Sequence, residues 1–60
     1  MKINELDVVL LKSNEEATIL EKFDDRNFLI EIYLIEIYID GIFSLRDITI
    51  DEIKQIIWTK

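Results

Sequence analysis

Sixty residues allow one domain with a thin hydrophobic core. The chain has no Cys and no His, so it lacks disulfides, the usual zinc ligands and the commonest general base. Thirteen acids against seven bases give a net charge of −6, which disfavours nucleic acid or an anionic membrane as a partner and suits a basic protein.

Half of the residues are hydrophobic, high for so short a chain, so some apolar side chains must stay exposed or be covered by a partner. A domain this small without staples leans on a dense core or on self-association, so a homodimer is a further expectation. Met1-Lys2-Ile3-Asn4-Glu5 meets charge at once, and Glu31 and Glu36 interrupt the longest apolar run. Neither a secretory leader nor a membrane span is expected, and the expected compartment is the cytoplasm.

Residues 1–5 read as a polar lead, and Leu6–Leu11 as the first strand, with Asp7 at solvent or at a turn. Lys12–Glu16 is a turn, since Ser13 and Asn14 offer local side-chain bonds to the backbone. Ala17–Phe23 is the second strand. Ala17, Ile19 and Phe23 share one parity that Glu21 interrupts, so Leu20 shares the core across a twist and Phe23 is expected inside. Asp24-Asp25-Arg26-Asn27 is a hairpin turn.

Phe28–Asp40 organises the rest: FLIEIYLIEIYID, rich in β-branched and aromatic residues that suit a pleated surface. Even positions begin apolar at Phe28, Ile30, Ile32 and Leu34; odd positions take over at Ile35, Ile37 and Ile39. The switch comes from a repeat, LIEIY at 29–33 and again at 34–38. Five is odd, so the second copy presents the opposite face, and a bulge or bend near Tyr33–Ile35 is needed to keep both sets inside. The rival, a helix through Leu29, Ile32, Ile35 and Ile39, is apolar almost all round and lacks a capping pattern at Asn27.

Asp40-Gly41 is the strongest short hairpin signal. Ile42–Leu45 opens the fourth strand, with Arg46-Asp47 as a bulge or its end. Thr49 with Glu52 suits a capping box around one 3-10 or helical turn near residues 51–53. Lys54–Trp58 closes as the fifth strand; a short helix over Asp51–Trp58 is the alternative. The expected fold is mainly β, a small five-stranded SH3-like barrel over residues 1–60.

Glu5–Val9, Ala17–Glu21, Phe28–Ile32 and Asp51–Ile53 with Ile57-Trp58 resemble a family of very short bacterial domains of unknown function with an SH3-like barrel. Members often carry a Gly before the second strand, where this chain has Glu16-Ala17, and a polar turn after the third, where it has the second LIEIY. Members tend to lie beside toxin or defence genes in mobile elements. The resemblance therefore implies an inhibitor, immunity protein or antitoxin.

Catalysis is poorly supplied: Ser13 and Ser44 have no base nearby in sequence, and there is no Gly-rich phosphate loop. Glu31 and Glu36 read as solvent-facing strand residues, and Asp24-Asp25 lacks the alternating oxygen ligands of a calcium loop. No enzyme activity, cofactor or metal is expected. Tyr33, Tyr38 and Phe43, with Glu31 and Glu36, are the candidate partner contacts on the long hairpin, because aromatics bury large area at low entropy cost. Trp58 is a further aromatic candidate. A second function class follows from Glu15, Glu16, Glu21, Asp24, Asp25, Glu31 and Glu36: a negative face imitating a nucleic-acid backbone, as in phage proteins that disable CRISPR or restriction machinery.

Overall fold

A computed structural model describes residues 1–34 and 42–60, with the side chains of 33, 34, 42 and 43 outside the description. The chain is mainly β: β1 (Val8–Leu11), β2 (Glu16–Lys22), β3 (Asn27–Leu34), β4 (Ile42–Thr49) and β5 (Ile53–Trp58), with a 3-10 turn over Ile50–Glu52. The five strands form one antiparallel sheet in the order β4-β3-β2-β1-β5. The last strand thus returns past the meander to pair with the first. Among the described residues no ladder joins β4 to β5, so the sheet is curled but not closed by hydrogen bonds.

One face is the core: Ile3, Val9, Leu11, Ala17, Ile19, Phe28, Ile30, Ile32, Ile48 and Ile53 are all buried. Ile3, read as polar lead, belongs to this core. The first strand starts later than expected. Leu6 has φ 72°, and Asp7 is buried with its Oδ2 accepting from the Asn4 backbone N–H at 2.9 Å. Leu6 N–H donates to Ile19 O at 2.7 Å, which fastens this turn to β2.

Bulges curl the sheet. Ile19 pairs with Ile30 but Glu21 with Leu29, so β2 carries one extra residue at Leu20. In β5, Ile56 pairs with Val9 and Trp58 with Val8, then Gln55 with Leu10 and Ile53 with Leu11, giving two more shifts. The β3–β4 ladder has none from Asn27↔Thr49 to Leu34↔Ile42, so Arg46-Asp47 is neither the bulge nor the strand end expected there, and β4 runs straight through. The second LIEIY copy from Ile35 and the Asp40-Gly41 turn lie outside the described residues; on either side of them Ile42 pairs with Leu34.

The 3-10 turn is fastened at both ends. Ile50 N–H donates to Arg26 O at 2.8 Å, and Lys12 N–H to Glu52 O at 2.9 Å. The Thr49 N–H donates to Glu52 Oε2 at 2.9 Å, the backbone half of a capping box. Ile53 then buries its side chain and the chain continues extended, so Asp51–Trp58 is a turn and a strand and not a helix.

Candidate functional site: the outer face of the sheet

Strand parity and register assign the outer face. With Ala17, Ile19, Phe28, Ile30, Ile32 and Ile48 inside, β3 sends Asn27, Leu29 and Glu31 out, and β4 sends Leu45, Asp47 and Thr49 out. β2 sends Glu16 and Thr18 out. Past the bulge at Leu20 its parity changes, so Glu21 and Phe23 are out and Lys22 stands opposite buried Phe28. Phe23 N–H donates to Asn27 O at 2.9 Å, which continues the β2–β3 ladder by one step. Phe23 is 54% exposed. The expectation that it is core fails for this reason: the extra residue that carries Glu21 out to solvent carries Phe23 out with it.

The result is a face where acids alternate with apolar groups. Across the sheet, Trp58, Val8, Thr18, Glu31 and Leu45 stand in one row of register, and Glu21, Leu29 and Asp47 in another. Among the described residues no two carboxylates oppose each other directly, which avoids the cost of like-charge cross-strand pairs while spreading charge over the surface. Leu45 is 64% exposed and Trp58 55%.

The cations near this face are held away from it. Arg46 lies at inner parity on β4 and its Nη1 meets Glu15 Oε1 at 3.3 Å. Lys22 Nζ is 3.5 Å from Asp25, and Arg26 Nη2 donates to Asp51 Oδ2 at 2.9 Å. Among the described residues, the outer positions of β2, β3 and β4 therefore carry Glu16, Glu21, Glu31 and Asp47 and no Lys or Arg.

Of the contacts expected from sequence, Glu31 sits on this face, half-buried between Thr18 and Leu45. Tyr33 and Phe43 are cross-strand partners in the β3–β4 ladder; their side chains are outside the description. Glu36 and Tyr38 lie outside the described residues. The acidic set divides. Glu16 and Glu21 join Glu31 on the face, whereas Glu15, Asp24 and Asp25 are engaged at turns. Leu45 and Asp47 were missed because a bulge read at Arg46-Asp47 hides their alternation with buried Ile48.

Local bonds lower the pKa of two turn carboxylates, Glu15 and Asp24. Ser13 Oγ donates to Glu15 Oε1 at 2.8 Å and, with the Arg46 guanidinium, holds Glu15 below its ordinary range. Asp24 Oδ1 accepts from the Arg26 backbone N–H at 2.8 Å and from the Asn27 backbone and side chain at 2.9 Å, which lowers it likewise. Ser13 is thus a turn hydroxyl bonded to a carboxylate. Among the described residues no His, Cys, Asp or Glu cluster of metal-ligand type occurs, and no helix is long and apolar enough to cross a membrane.

No protein-family profile matches this chain, and neither the curated proteins nor the solved structures yield a match.

Proposed function

We propose that this chain is a non-catalytic protein-binding module that caps a basic partner protein, as an inhibitor, immunity protein or antitoxin does. The observation that carries the reading is the outer face of β2, β3 and β4. It presents Glu16, Glu21, Glu31 and Asp47 among exposed Leu45 and Phe23, with the neighbouring cations tied elsewhere. Large exposed apolar groups among charges of one sign suit a protein surface of opposite charge, where apolar anchors supply affinity and charge supplies rate and choice of partner. The resemblance to short bacterial domains found beside toxin and defence genes supports the same reading, and the location proposed with it is the cytoplasm.

The test is capture of a partner from the native host, repeated with surface variants that leave the core alone. Leu45→Lys with Glu31→Lys is expected to abolish capture while the circular dichroism spectrum stays that of the wild type. Tyr33→Ala with Tyr38→Ala is expected to weaken it. Capture that survives both pairs removes the outer face and the hairpin from the interface.

A second reading, an acidic mimic of nucleic acid that blocks a basic groove, is favoured by the way register spaces the carboxylates on one face. It differs in its salt response. Mimicry predicts affinity that collapses as salt rises and as Glu16, Glu21 and Glu31 become Gln, whereas apolar anchoring predicts shallow dependence on both.

A further inference from the structure

At the β2–β3 turn end of the outer face lies a groove of about 230 Å³, lined by Phe23, Asn27, Phe28, Asp47, Ile48, Thr49 and Glu52. That is less than the roughly 300 Å³ at which pockets for drug-sized ligands begin, and it suits one side chain. Its apolar wall comes from Phe23, with buried Phe28 and Ile48 behind. Its polar wall holds two acids, Asp47 and Glu52, and no cation. Neither acid forms an ion pair among the described residues. Arg26, next in sequence to Asn27, is turned to Asp51 and does not line the groove. One oxygen of Glu52 is occupied by the Thr49 N–H, which fixes the carboxylate and leaves its other oxygen available.

We propose that this groove takes an arginine side chain of the basic partner. The inference rests on the proposed function and names the chemistry of one contact within it. An exposed aromatic residue beside two carboxylates, one of them held by a backbone N–H, matches a guanidinium on each count. Its plane stacks on the ring, its fork of N–H donors reaches carboxylate oxygens, and its weak hydration makes it easier to strip of water than an ammonium. A groove of net negative charge rejects an acidic side chain, and a second copy of this chain, at −6, is disfavoured by its own charge. The Phe23 ring, exposed because of the bulge at Leu20, then gains a partner that covers it.

The test uses the full chain and three short peptide amides, Gly-Gly-Arg-Gly-Gly and the same peptide with lysine or citrulline at the centre. Backbone amide shifts are followed by NMR. The arginine peptide is expected to move Phe23, Asn27, Asp47 and Glu52 saturably, with at least fivefold weaker binding for lysine and none for citrulline. Phe23→Ala and Asp47→Asn each alter exposed side chains, and each is expected to weaken the arginine response at least fivefold with the remaining spectrum intact. Shifts scattered over all acidic residues, an equal response to lysine or citrulline, or no loss in the two variants overturns the assignment. The partner experiment separates the two ideas: capture lost in Leu45→Lys with Glu31→Lys yet undiminished in Phe23→Ala removes the groove and leaves the outer face standing.

Discussion

Asp24 closes the β2–β3 turn with one side chain, and Glu15 ties the β1–β2 turn to β4 through Arg46. Both carboxyls lie below their ordinary values in the folded chain. The unfolded chain therefore takes up protons first as the pH falls, and the linkage sets the sign. Their contribution is whole above the unfolded values and is lost as pH drops through the folded ones. Urea midpoints are expected to hold steady from neutral pH and to decline from about pH 4.5 downward, with a shallower decline in Asp24→Ala. Leu6 is a different kind of residue problem. At φ 72° a leucine occupies left-handed space that suits Gly or Asn, and its side chain is 43% exposed. Leu6→Asn is expected to raise stability by about 0.5–1 kcal/mol, measured by urea unfolding. An unchanged or lowered midpoint would mean that the leucine side chain contributes more than the strain removes.

At the scale of the element, β3 sits between β2 and β4 and buries Phe28, Ile30 and Ile32 on one side. Ile30→Ala leaves a cavity in the middle of a small core and is expected to cost about 2–5 kcal/mol. Small domains have only about 5–15 kcal/mol in total, so this variant should be largely unfolded near 37 °C by circular dichroism. Leu45→Ala, one ladder partner away from β3 but on the outer face, is expected to shift stability by no more than about 0.5 kcal/mol. This contrast follows from parity alone. Strands β2 and β3, the 3-10 turn and the Asp24–Asn27 hairpin are legible as alternation and turn chemistry. The bulge at Leu20 is half legible: Glu21 announces that parity breaks, but only the register with Ile30 and Leu29 shows that Phe23 leaves the core. β4 was under-read because Arg46 at an inner position looks like a strand end, when in fact it reaches past the sheet to Glu15.

For the whole molecule, charge and exposed apolar surface pull in opposite directions. At −6 the chains repel at low salt, and screening weakens that repulsion while leaving apolar attraction in place. Sedimentation at micromolar concentration is expected to give a monomer in dilute buffer and growing self-association as salt is raised. An association that salt dissolves would instead place ion pairs at the contact. Among the described residues the outer edges of β4 and β5 have no ladder partner, and a further strand could add there; the charges at Arg46, Asp47 and Lys54 lie along them, as edge strands that resist nonspecific pairing require.

Local information was enough for the mainly β class, the five strands, the place of the 3-10 turn and the absence of His and Cys chemistry, because alternation, turn residues and composition are properties of neighbours along the chain. The acidic outer face and the Phe23 groove were settled only in three dimensions. Glu16, Glu21, Glu31 and Asp47 come from three strands, and which way each points depends on where a ladder gains a residue. A one-residue shift turns every later side chain over, and hydrogen-bond register between distant strands is what decides it.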